Sequence, residues 1–253
     1  MSKMTAYREG MPCWVDLTCT DIGKAMAFYQ GLFGWEYTDT GEAGGHYRLA
    51  SMRGTRVAGL SPEPTASHPQ WTTYLAADDA DAVAERVRDS GGEVLLGPLD
   101  VLDQGRMAMA QDPAGALFGI WQARAHAGSG LANEPGSFTW NENLSDDPRT
   151  ARNFYFQVFG YAYDEVPGLD YTVIKLHGAP VGGIGDLPPM LPPGSRSFWS
   201  TYFQVSDTDL AAARAAELGG EVVVPPTDSP YGRMSVLRDD SGAGFCIISP
   251  PRG

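Results

Sequence analysis

The stretch FYQGLFGWEY, Phe28 to Tyr37, returns as FYFQVFGYAY, Phe154 to Tyr163, 126 positions further on. Half of its letters are unchanged, and Leu32/Val158 and Trp35/Tyr161 exchange like for like. The match extends in both directions. Upstream, PCWVDLTCTD faces FTWNENLSDD, which pairs Trp14 with Trp140 and Asp16 with Glu142. Downstream, HYRLASMRGTRVAGL faces DYTVIKLHGAPVGGI, and WTTYLAADDADAVAERVRDSGGEV faces WSTYFQVSDTDLAAARAAELGGEV. GRMAMAQDPAGALFGIW faces GRMSVLRDDSGAGFCII. An internal repeat of this length means that one structural unit is used twice.

Each copy divides again. Asp21 and Gly34 have counterparts in Asp79 and Gly92, and Asp147 and Gly160 in Asp207 and Gly220. In the first unit WVDLT alternates as a strand does. Asp21 stands at an N-cap, and Ala25, Phe28, Tyr29, Leu32 and Phe33 recur at helical spacing. Gly34 takes the left-handed cap, and YRLASM and TRVAGL form strands joined at Arg53-Gly54. The unit is strand, helix, then strands. Four such units predict an α+β chain, with paired sheets curled into two cup-shaped half-barrels and helices outside. The first domain is expected over 8–123, a linker over 124–136 and the second domain over 137–250. The FY..LFG phrase itself is expected to be core packing rather than chemistry.

Composition narrows the function. The 253 residues are 43% apolar with a net charge of −13. A surface that negative repels phosphates and anionic lipids, so neither nucleic acid nor membrane is an expected partner. The three cysteines Cys13, Cys19 and Cys246 form no Cys-x-x-Cys pair, as in a reducing compartment. The N-terminal MSKMTAYREGMPCW lacks an apolar run of signal-peptide length, which makes the cytoplasm the expected location. Both monomer and homodimer remain open. GGIG at Gly182–Gly185 is followed by the Pro-rich DLPPMLPPG, not by a helix, so it is no nucleotide loop.

The run WVDLTCTD…A..FY..LFGW…DPAG resembles the vicinal oxygen chelate superfamily, the glyoxalase, bleomycin-resistance and extradiol-dioxygenase proteins. The resemblance spans about Pro12 to Ser249 in two tandem copies. It is strongest to fused two-domain proteins labelled glyoxalase-like or hydroxylase. It implies paired βαβββ modules. In metal-dependent members it implies a divalent ion held by His or Glu on first strands and Glu on last strands. Here the first-strand positions, seven before each helix-capping Asp, hold Trp14, Thr72, Trp140 and Ser200. The last-strand positions hold Gly119 and Cys246. None is an imidazole or carboxylate, so no metal site and no cofactor are expected.

Strand parity proposes what lines the cups instead. Trp14, Asp16 and Thr18 share one face, as do Trp140 and Glu142. Thr72, Tyr74, Trp121, Ser200 and Tyr202 join them. Such a lining suits a flat, largely apolar or aromatic small molecule; alternatively, Trp14 and Trp140 plug the space a metal would take. Asp16 and Glu142 are candidate general bases, with raised pKa values in an apolar cup, or else partners of Arg106 or Arg233. Arg106-Met107 and Arg233-Met234 follow loops; each arginine either clamps an anionic group or pairs with a nearby acid, and Met107 forms wall. Three functions stay open: a small-molecule-binding protein, a metal-independent enzyme (isomerase, cyclase or hydroxylase-like) using Asp16 or Glu142, and a metal-dependent glyoxalase or dioxygenase. The ligand positions oppose the third.

Overall fold

The computed structural model describes residues 4–191 and 194–251; the Pro-rich connection at 186–194 therefore lies partly outside the described residues. In the first half, β1 (Pro12–Cys19) leads into α1 (Ile22–Phe33), β2 (Glu36–Asp39), β3 (Arg48–Met52) and β4 (Thr55–Pro62). The second unit is β5 (Gln70–Ala76), α2 (Ala80–Asp89), β6 (Glu93–Val101), β7 (Gly105–Gln111) and β8 (Leu117–Ala123). The second half repeats the order: β9 (Phe138–Ser145), α3 (Pro148–Phe159), β10 (Ala162–Glu165), β11 (Tyr171–Leu176) and β12 (Ala179–Asp186). It ends with β13 (Phe198–Gln204), α4 (Thr208–Glu217), β14 (Glu221–Ser229), β15 (Gly232–Arg238) and β16 (Gly244–Ser249). No helix among the described residues is long and apolar enough to cross a membrane.

Local chemistry sets the helix limits. Asp21, Asp79, Asp147 and Asp207 each cap a helix with the side chain accepting a backbone N–H. Each cap contributes about 1 kcal/mol. Gly34 and Gly160 close α1 and α3 in the left-handed conformation, at φ 73° and 69°. Arg53 and Gly54 both have positive φ and turn β3 into β4.

Two eight-stranded mixed sheets result, in the orders β2-β3-β4-β1-β5-β8-β7-β6 and β10-β11-β12-β9-β13-β16-β15-β14. Each is an open half-barrel made of the two units of one half. The first unit thus closes on the second, not on the fourth. In each sheet the central strands of the two units run antiparallel, Asp16 opposite Thr72 and Glu142 opposite Ser200.

The sheets meet through their outer faces, and the halves interlock there. One core joins Phe28, Tyr29 and Trp35 of the first unit to Phe203, Leu237 and Phe245 of the fourth. Its counterpart joins Phe154 and Tyr155 of the third unit to Val83, Phe118 and Ile120 of the second. Helix α1 accordingly packs beside α4, and α2 beside α3. The Tyr of each FY phrase makes the matching polar link. Trp71 Nε1 donates to Tyr29 Oη at 2.9 Å, and Tyr29 donates to Asp239 Oδ2 at 3.0 Å. Trp199 Nε1 donates to Tyr155 Oη at 2.8 Å, and Tyr155 donates to Asp112 Oδ2 at 3.0 Å. At the centre, Thr73 and Thr201 both donate to Asn141 Oδ1 at 3.0 Å. Residues 15, 17, 141 and 143 face this back core, which turns 14, 16, 140 and 142 into the cups.

Candidate functional site

Each cup holds the same polar cluster. In the first, Tyr47 and Tyr74 donate to Asp16 Oδ2 at 3.1 and 3.0 Å, and Trp14 Nε1 donates to the Tyr47 hydroxyl at 2.9 Å. In the second, Tyr202 donates to Glu142 Oε1 at 2.7 Å and Tyr171 to Oε2 at 2.9 Å. Trp140 Nε1 donates to the Tyr171 hydroxyl at 3.0 Å. Burial pushes the Asp16 carboxyl up to about 7 against the opposing pull of its two phenol hydrogen bonds. Burial raises Glu142 in the same way, again against its two phenols. A carboxyl raised in this way can accept a hydrogen bond or take and give a proton.

Glycines make room for the phenols. A β-carbon at Gly59 would overlap the Tyr47 hydroxyl, and one at Gly183 the Tyr171 hydroxyl. A β-carbon at Gly119, a position where the family places a metal-binding Glu, would overlap the Tyr74 ring. The ring therefore takes the space an ion's ligand would fill.

The two cups differ in what covers them. In the first, the linker is wedged beside β1. Ser129 N–H donates to Cys13 O at 2.8 Å and Gly130 N–H to Arg56 O at 2.8 Å, between the diverging ends of β1 and β4. The His126 ring lies edge-on to Trp14 at 4.4 Å between centroids, and Trp121 Nε1 donates to His126 O at 2.8 Å. Burial lowers His126 to about 4, so it sits there neutral. Trp14 is left 4% exposed in a packed cluster with Tyr74 and Trp121, flanked by Met107. The second cup instead opens onto a cavity of about 830 Å³. Trp140, Tyr171, Tyr202, Met234 and Ile248 line it, with Glu142 among them. Met4, Tyr7, Met11 and Pro12 of the N-terminal segment form part of its wall. The exposed Leu169 and Tyr231 stand at its rim.

The residues singled out in the sequence fall into three groups. Trp14, Asp16, Tyr74, Met107 and Trp121 gather in the first cup; Trp140, Glu142 and Tyr202 line the second. Thr72 is buried opposite Asp16, Ser200 Oγ lies 3.5 Å from Cys246 Sγ, and Thr18 sits half-buried near the end of β1, opposite Gln70. Arg106 and Arg233 are corrected. Arg106 bonds Asp81 and Asp100, and Arg233 bonds Asp209 and Asp228. Because Met107 and Met234 face the cups, parity turns the neighbouring arginines to the opposite face, where the first turns of α2 and α4 supply their acids. Neither arginine is the partner of Asp16 or Glu142. Tyr47 and Tyr171 are functional candidates that sequence reasoning missed. They stand at equal places in the repeat, each twelve residues before the glycine that admits it.

These donors do not fit a divalent ion. Each cup offers a single carboxylate that already accepts two phenol hydrogen bonds, both on Oδ2 of Asp16 and one on each oxygen of Glu142, and among the described residues no three His, Cys, Asp or Glu converge. The family description "Glyoxalase/Bleomycin resistance protein/Dioxygenase superfamily" matches residues 13–120 and again 143–247. The chain belongs to this superfamily. It is 43% identical over 260 residues to CFP32 of Mycobacterium tuberculosis (strain CDC 1551 / Oshkosh), named a candidate glyoxylase, covering 99% of this chain and 98% of that one. It is 37% identical over 263 residues to the anthracycline biosynthesis protein DauV of Streptomyces sp. (strain C5), covering 97% and 95%. The fold is similar to that of the Mn(II)-bound glyoxalase from Novosphingobium aromaticivorans, with a TM-score of 0.67 at 20% identity over 96% of this chain and 83% of that one.

Proposed function

We propose that this superfamily member binds a flat, largely apolar small molecule in its second cup, and that the first cup is a structural counterpart. The cavity beside Trp140 carries this reading. It is roomy enough for a fused-ring molecule, its walls are mostly aromatic and aliphatic, and two of its phenol hydroxyls, Tyr171 and Tyr202, converge on Glu142. The same cluster in the first cup lies under His126. The name of DauV, an anthracycline biosynthesis protein, supports a polycyclic aromatic ligand.

Glu142 favours a second reading, in which the bound molecule also reacts without a metal. A buried carboxyl with a raised pKa at the cavity wall is placed to take or give a proton, as an isomerase or cyclase requires. A metal-dependent glyoxalase, as the name of CFP32 would suggest, and a dioxygenase are opposed by the donor set.

Fluorescence titration with an anthracene-based ring tests the binding site. Trp140→Ala is expected to weaken binding about tenfold or more, through loss of stacking area. Trp14→Ala is expected to leave it unchanged. Equal losses in the two variants would contradict the assignment to the second cup.

A further inference from the structure

The charge balance of the second cup goes further than its shape. Among the described residues that line the cavity there is no Lys, Arg or His. Glu142 is its one carboxylate, 7% exposed. Arg233, the cation that the repeat offered as a partner, bonds Asp209 and Asp228 instead. Tyr171 and Tyr202 commit their protons to Glu142, one on each oxygen, so the hydroxyls point their donors at the carboxylate rather than at the cavity. Trp140 likewise commits its N–H to Tyr171. What remains toward the cavity from this cluster is acceptor lone pairs and ring faces. Both attract a positive charge, the first directly and the second through the ring quadrupole. An anionic group would meet no counter-charge there and would be desolvated beside a carboxylate.

From this we infer that the second cup selects flat aromatic molecules carrying a protonated amine, takes neutral alcohols of the same shape less well, and rejects carboxylates. The inference rests on the reading of this cup as a ligand site.

Three anthracenes of near-identical shape test it on the full chain: 9-(aminomethyl)anthracene, 9-anthracenemethanol and 9-anthracenecarboxylate. Titrations at neutral pH and high salt screen the general field of a chain with net charge −13, but not a buried neighbour. The amine is expected to bind about thirtyfold more tightly than the carboxylate, with the alcohol between. Glu142→Gln is expected to bring the three within roughly threefold of one another. The order in the unmodified protein stands as a test even where the variant folds poorly. A carboxylate that binds as well as the amine, or an order that survives Glu142→Gln, overturns this inference alone. Failure of all three rings to bind overturns the ligand-site reading together with it.

Discussion

At the scale of single residues, the chemistry is set by two largely buried carboxyls, Asp16 and Glu142. Asp16 is held up to about 7 by burial, above the usual carboxylate range, so the native state keeps a proton that the unfolded chain releases near pH 4. Stability from this group is complete below about pH 4 and is lost as pH rises through 7, at about 1.4 kcal/mol per pH step between those limits. An amide at this place does not ionise. Asp16→Asn is therefore expected to melt progressively higher relative to the parent as pH goes from about 4.5 to 8. A difference that does not change with pH would contradict a raised Asp16. The phenols bound to each carboxyl moderate this effect without reversing it, because desolvation is the larger cause.

At the scale of elements, a strand in this protein is shaped as much by its glycines as by its side chains. Gly183 lies beside Glu142 in the sheet, and its missing β-carbon lets Tyr171 cross over to the carboxylate. Gly183→Ala displaces only the far end of a flexible side chain, so the fold should survive at a cost of about 1 kcal/mol. The displaced phenol releases both Glu142 and the Trp140 indole, and binding in the second cup should fall. Gly59→Ala makes the same change to Tyr47 in the sealed cup and should leave binding unaffected. Equal effects on binding would show that the cups are not functionally distinct. Much of this level was legible in the sequence. The capping aspartates, Gly34 and Gly160, and the Arg53-Gly54 turn act within a few residues, and the chain announces them by local pattern. Strand parity also put Trp14, Asp16, Trp140 and Glu142 on the correct face. Tyr47 and Tyr171 were not found, because what they touch is decided by strands paired across the sheet. Arg106 and Arg233 were misjudged as ligand clamps for the same reason: the acids they pair with lie on other elements, Asp81 and Asp209 on α2 and α4, and Asp100 and Asp228 on the neighbouring strands β6 and β14. The linker looked like a spacer, yet Gly128 packs so closely on the Cys13 carbonyl that a β-carbon there would collide with it.

At the scale of the whole molecule, the duplicated phrase is a fastening. Tyr29 and Tyr155 each carry a buried hydroxyl across the boundary between the halves, receiving a Trp N–H and donating to an Asp. Tyr29→Phe leaves the Trp71 indole and Asp239 Oδ2 without this partner, and Tyr155→Phe leaves the Trp199 indole without it while Asp112 Oδ2 keeps its bond from Asn143. The expected cost is about 1–3 kcal/mol apiece in urea unfolding, adding to within roughly 0.5 kcal/mol because the two links lie in different cores. The halves should still unfold in one transition; two separated transitions would contradict the interlock. The interlock also keeps the two cups apart, one with the linker's His126 packed on Trp14 and one opening onto the cavity beside Trp140. The most direct test of that asymmetry is a crystal structure of the protein with 9-(aminomethyl)anthracene. The ring is expected in the second cup alone, against Trp140, with its ammonium beside Glu142. A ring seated in the first cup against Trp14, or an ammonium turned away from Glu142 toward solvent, would contradict the account.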